Sequence, residues 1–127
     1  MNTRTRITSS LIGFALATAL VVVPAASASA STKCTDNVYG PGGYATCIGY
    51  IQTMLNSWAH DYGIAPIAVD NSYGPATTKR VKDFQYDQWN PKLTVDGYVG
   101  PKTWAALCGW SIYGTAAAKK ARVLAGC

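Results

Sequence analysis

Glutamate is absent from this sequence, and histidine occurs once, as His60. All six acidic residues are aspartates, and charged residues make up only 13% of the chain. These gaps exclude several chemistries. A catalytic zinc site needs protein ligands around an open position, and one histidine beside four cysteines of disulfide type does not supply them. A glycosidase that divides acid and base roles between two carboxylates would have only aspartate to use. Neither the phosphate-cradling nor the dinucleotide-binding glycine pattern occurs. Elaborate active-site chemistry is therefore not expected, and no metal or cofactor is implied.

Long apolar runs are equally scarce. The one present, residues 11–23, follows Arg4 and Arg6 and precedes the small-residue stretch Ala28-Ser29-Ala30. That order is a secretory signal peptide, so residues 1–30 are expected to be cleaved. The run is shorter than the roughly eighteen residues that a spanning helix needs, and no membrane span is expected. The remainder, 31–127, has room for one small domain. Without Arg4 and Arg6 it carries nine basic residues against six acidic ones. This mild positive balance favours anionic surfaces but falls short of a nucleic-acid footprint. A monomer is expected.

Export makes disulfides the natural state of Cys34, Cys47, Cys108 and Cys127. Three pairings are open, and the sequence does not choose among them. Cys34–Cys47 with Cys108–Cys127 is favoured because each closes a short loop containing glycine.

Residues 31–46 are rich in Gly, Pro, Ser and Thr, show no periodicity, and read as a lead-in of turns. Apolar spacing then begins. Ile48, Ile51, Leu55 and Trp58 lie at i, i+3, i+7 and i+10, one stripe of a helix that Gly63 and Pro66 end. Asn56, Ser57 and Asp61 fall off that stripe.

The most informative feature is a repeat at an offset of 26. Val69-Asp70-Asn71-Ser72-Tyr73-Gly74-Pro75-Ala76-Thr77 aligns with Val95-Asp96-Gly97-Tyr98-Val99-Gly100-Pro101-Lys102-Thr103. Gly74 and Gly100 suit an N-cap, and Pro75 and Pro101 suit the first helical position. Asp70 and Asp96 can accept turn N–H groups, and Asn71 and Gly97 tolerate positive φ. Thr77, Val81 and Phe84, like Thr103, Leu107 and Trp110, are spaced i, i+4, i+7. Each copy thus predicts a short extended segment, an Asp turn and a helix. A weaker echo pairs Ile48-x-x-Ile51-Gln52 with Val81-x-x-Phe84-Gln85. Residues 115–124 are Ala- and Lys-rich and predict a fourth helix, stopped by Gly126. The fold class is mainly α, a three-helix bundle with two Asp turns, an extra C-terminal helix and two disulfides. Its parts are the lead-in 31–46, a core domain 47–110 and a tail 111–127.

This order of elements resembles the peptidoglycan-binding domain of the three-helix type, an accessory module of bacterial cell-wall hydrolases that also occurs in short exported proteins. The likeness runs from about Ile48 to Leu107. It rests on both Asp-turn blocks, both glutamines and the Thr103-Trp104 helix start. It implies peptidoglycan as partner, through glycan or stem peptide, with no catalysis. Gln52 and Gln85 could hydrogen-bond that ligand, although the resemblance implies that they more often hold backbone. The chain departs from the pattern in three ways: residues 57–68 are long, Asn71 stands where Gly is usual, and the cysteines and tail are additions.

Candidate ligand residues are aromatic and amide. Sugar rings stack C–H faces on aromatic planes and offer hydroxyls to amides. Tyr73 and Tyr98 on the two turns, Trp89 beside Asn90-Pro91, and Gln52 and Gln85 would flank a groove between the turns. Trp58, Phe84, Trp104 and Trp110 read as core. Lys79, Arg80, Lys82 and Lys102 cluster at helix starts, as a solvated face or as an attraction for wall carboxylates. The twin places of Asp70 and Asp96 argue for structure over catalysis. Two rival functions remain: a small wall hydrolase using aspartates or Cys47 with His60, and an exported structural or inhibitory protein on the same scaffold.

Overall fold

The stripe Ile48, Ile51, Leu55 and Trp58 is buried throughout, and it belongs to α1, Thr46–Asp61. A computed structural model describes residues 32–127. The expected signal peptide, residues 1–30, lies outside them. Among the described residues three further α-helices follow: α2 (Pro75–Asp87), α3 (Pro101–Trp110) and α4 (Ala116–Ala125). A single 3-10 turn, Cys34–Asp36, precedes them, and no strand forms among these residues.

The two repeat helices begin as their sequence dictates. Gly74 and Gly100 are extended N-caps, with ψ near −172° and −170°, and proline opens each helix. Thr77, Val81, Phe84, Thr103, Trp104 and Leu107 are buried. Trp110 departs from its expected place in the core: it is only partly buried and packs against the core from its edge. Its indole N–H bonds outward to Gln88 Oε1 at 3.1 Å, so its outer side remains at the surface.

Ser57 departs from expectation in the opposite direction. It is buried because α1 has a second covered side. There its hydroxyl oxygen accepts the Thr115 N–H at 2.9 Å. α4 presents Ala118, Ala121 and Ala125 to the core, and α1 packs more extensively against α4 than against either repeat helix. Methyl-sized side chains permit that close approach. α4 starts where Thr115 Oγ1 accepts from the Ala118 N–H, and it ends at Gly126 with φ 90°.

Both disulfides take the short-loop pairing, Cys34–Cys47 and Cys108–Cys127. The first fastens the lead-in to α1. The lead-in, expected as plain turns, is paired by backbone to both corners. Tyr39 exchanges N–H···O bonds with Val99 at 3.1 and 2.8 Å. Gly42 donates to Tyr73 O at 2.9 Å, and Tyr73 donates to Gly43 O at 2.8 Å. Tyr73 and Val99 occupy the same place in the repeat, so one segment stitches both copies in one register.

The Cys108–Cys127 bridge spans 19 residues, a loop for which chain entropy gives about 3 kcal/mol. The Cys108→Ser/Cys127→Ser variant is expected to lose about that much in urea unfolding and to exchange its α4 amides faster. A loss of under about 0.5 kcal/mol would show that the alanine face alone holds α4.

Candidate functional site

At each corner a glutamine from the preceding helix enters the turn and uses its whole amide there. Gln85 Oε1 accepts the Asp96 and Gly97 N–H groups at 3.1 and 2.9 Å. Its Nε2 faces Asp96 Oδ1, Tyr98 O and Thr103 Oγ1 at 3.0, 2.8 and 3.2 Å. Gln52 repeats the pattern. Its Oε1 accepts from Asp70 and Asn71 at 3.0 and 3.1 Å. Its Nε2 faces Asp70 Oδ1, Ser72 O and Thr77 Oγ1 at 2.9, 2.9 and 3.0 Å. Each aspartate also accepts the N–H two residues on, at 3.0 Å for Ser72 and 2.9 Å for Tyr98. One amide thus binds two N–H groups, a carboxylate and a carbonyl. Glutamate could not, because its second oxygen would face acceptors.

Both glutamines are 1% exposed, which corrects the expectation that they reach a ligand: no group is left to offer. The Asp70 carboxyl is pushed below the usual carboxylate range, chiefly by the Gln52 amide and then by the Ser72 N–H. Asn71 and Gly97 adopt φ of 64° and 78°, as the sequence predicts. The Asn71 side chain lies on Gly49 of α1, where any Cβ would collide with it. Asparagine is therefore tolerated in the first turn because a glycine faces it.

Gln52 reaches a turn 18 residues ahead, whereas Gln85 reaches one only 11 ahead. The difference lies in α1, which runs nine residues beyond Gln52 to Asp61, whereas α2 ends two residues beyond Gln85 at Asp87; the loop that follows, through 62–68, is no longer than its counterpart. Two side chains latch that loop. Asn56 exchanges two bonds with the Ile67 backbone, both 2.8 Å, and Arg80 Nη2 donates to Ala65 O at 2.8 Å. Arg80 is accordingly buried, so it leaves the expected surface cluster of cations.

Tyr73 also requires correction. It is 1% exposed, and its hydroxyl crosses to the other corner, donating to Gly97 O at 2.6 Å. Burial raises its pKa strongly, with Asp96 adding to the effect, so the hydroxyl stays a donor. The corners do meet, but Tyr73 fills the space expected to be a groove. The repeat itself carries the sign of this: Tyr73 aligns with Val99, also buried, and Tyr98 with exposed Ser72.

Tyr98 and Trp89 remain at the surface, 49% and 90% exposed. The Tyr98 ring rests on Gly40, where a Cβ would strike it. Each corner lines its own cleft. The first, of about 620 Å³, includes Pro41, Gly42, Ser72, the buried Tyr73, Pro75, Lys79 and Lys82 in its lining. The second, of about 300 Å³, includes Asp96, Tyr98, Pro101 and Lys102. Between them Lys82 and Thr78 lie against Gly97. Lys79 is paired with Asp83 at 2.7 Å, an exposed bridge of small energetic weight.

Cys47 is bound to Cys34, so it is no nucleophile. His60 is exposed, 3.6 Å from Asp61. Among the described residues no cluster of three His, Cys, Asp or Glu side chains could hold a metal ion.

Residues 48–107 match the model of the family described as "Putative peptidoglycan binding domain". This stretch, 60 of the chain's 127 residues, is similar to peptidoglycan-binding domains. It contains both glutamines, both corners and the start of α3, while the lead-in and α4 lie outside it. No curated protein matches the chain, and no solved structure does.

Two outcomes follow from this geometry. Gln85→Glu is expected to destabilise the protein by about 2–4 kcal/mol at pH 7, more than a surface Gln→Glu, as read by denaturant unfolding. An effect under about 0.5 kcal/mol would contradict the clamp. The Asp70 carboxyl, with its pKa below the usual value of 3.8, contributes stability that is complete above about pH 4 and lost as pH falls through its lowered pKa. Asp70→Asn is expected to flatten the stability profile below about pH 4, and an unchanged acid limb would rule this out.

Proposed function

We propose that this protein is exported, remains disulfide-bonded outside the cell, and attaches to the cell wall without cleaving it. The observation that carries the reading is the family match over residues 48–107, which spans both corners. Export is supported by the signal-like residues 1–30 and by four cysteines all engaged in disulfides. Among the described residues no helix is long and apolar enough to cross a membrane.

The strip across the two corners is the proposed contact surface. Lys82 and Lys102 line its two clefts, and the first cleft lies beside the start of α2 at Gly74 and Pro75. Stem-peptide carboxylates are the natural occupant of such a surface. Tyr98 adds an aromatic plane at its second end. The residues divide as a lead-in, a wall-binding domain over 47–110, and a tail, and the active unit is a monomer.

Sedimentation with insoluble peptidoglycan tests the reading. Wild type is expected in the pellet at low salt, with no soluble wall fragments released. Lys82→Ala/Lys102→Ala is expected to weaken pelleting about five-fold at low salt and less at high salt. Wild type left wholly in the supernatant would end the proposal.

A further inference from the structure

A third cleft, of about 470 Å³, lies away from the corners, between the end of α2 and α3. Its lining includes Asp61, Gln88, Asn90, Pro91, Trp110 and Tyr113. That volume falls in the range of about 300–1,000 Å³ usual for small-ligand sites. Trp110 and Tyr113 both lie beyond residue 107, where the family match ends, so this chain builds the cleft partly from its own additions.

The Trp110 plane is held in place. Tyr62 packs between Trp58 and Trp110, with ring centroids 5.4 and 6.1 Å away. Gln88 Oε1 fixes the Trp110 indole N–H at 3.1 Å. Tyr113 is 88% exposed; its backbone N–H bonds to Trp110 O at 3.2 Å, a turn that sets both residues on the wall of the same cleft. Gln88 Nε2 is shielded from solvent and has no partner. A donor in that state is costly, so the Gln88 amide is a strained group on the cleft wall, and a side-chain shift that opened it to an acceptor oxygen would relieve the cost.

No lysine or arginine lines this cleft, and Asp61 supplies negative charge. An anionic stem peptide or phosphate polymer is therefore disfavoured here, in contrast to the lysine-lined corner. Two aromatic faces, two side-chain amides and one carboxylate suit a neutral, hydroxyl-rich ring: C–H faces stack on the aromatics, while hydroxyl and acetamido groups meet the amides and Asp61.

We propose that the Trp110–Tyr113 cleft is a glycan subsite that seats pyranose rings of an uncharged amino-sugar chain, separate from the corner strip. The cleft's chemistry specifies a pyranose; the choice of an N-acetylated amino sugar rests on the wall-binding reading.

The test is titration of the disulfide-bonded protein with the β-1,4 tetramer of N-acetylglucosamine, followed by amide and indole NMR. Shifts are expected at the Trp110 indole N–H and the Gln88 side-chain amide. Tyr113→Ala, which leaves the backbone spectrum unchanged, is expected to weaken binding about five-fold or more. Lys82→Ala/Lys102→Ala is expected to leave it unaltered. Tetramer binding at this cleft by a protein that does not pellet with whole wall would uphold the subsite while overturning the wall-binding reading. Pelleting of wild type with no tetramer response, or with shifts confined to the corners, would overturn the subsite and leave that reading standing.

Discussion

Two buried glutamines hold the structure's corners. Each reaches from a helix into an aspartate turn and satisfies partly buried N–H groups that the turn cannot pair within itself. A buried N–H without a partner costs about 1–3 kcal/mol, so a turn with two such groups needs this amide or an equivalent. The carboxylate then serves twice, accepting from the amide and from the N–H two residues on. The next helix starts from a fixed point, because its first buried threonine, Thr77 or Thr103, touches the same amide. Helix, turn and helix are thereby locked as one unit, twice over.

One contact inside the matched family segment and several parts outside it bind the two units together. Tyr73 links the corners through Gly97 O, and the lead-in pairs with Tyr73 and Val99 at equivalent places. At the other side α4 covers α1 and is closed by Cys108–Cys127. A domain of this size has a small core, and these additions brace it from both ends. They also shape the surface: Gly40 carries the Tyr98 ring, Pro41 and Gly42 wall one cleft, and Tyr113 walls another. The molecule thus presents a cationic face at the corners and an aromatic, cation-free face elsewhere, two chemistries that a polymer of sugars and charged peptides also combines.

Features that repeat, or that side-chain spacing controls, were legible in the sequence. The 26-residue offset located both corners and both Gly-Pro helix starts, and apolar spacing located α1 and its stripe. Features made by backbone pairing or by single long-range contacts were not. The lead-in bonds through main-chain atoms, to which composition is blind. Arg80 sits among lysines in sequence, and nothing local announces that Ala65 O lies opposite. The long segment 57–68 read as extra loop, yet its first residues continue α1 to Asp61, and nothing in it announced the Asn56 and Arg80 latch. Tyr73 was a misreading of register: residue type suggested a twin of Tyr98, whereas the alignment placed it with buried Val99. The site is legible only in part for the same reason, since exposure depends on which side of a turn faces the lead-in.

Native-state hydrogen exchange of the Asp96 and Gly97 amides addresses the central claim most directly, because both lie in a turn and both bond to a side chain. If the glutamine is the clamp, these amides exchange only on global unfolding, with protection matching Leu55 in the middle of α1. Exchange at the rate of the exposed loop around Lys92, with α1 still protected, would contradict the account.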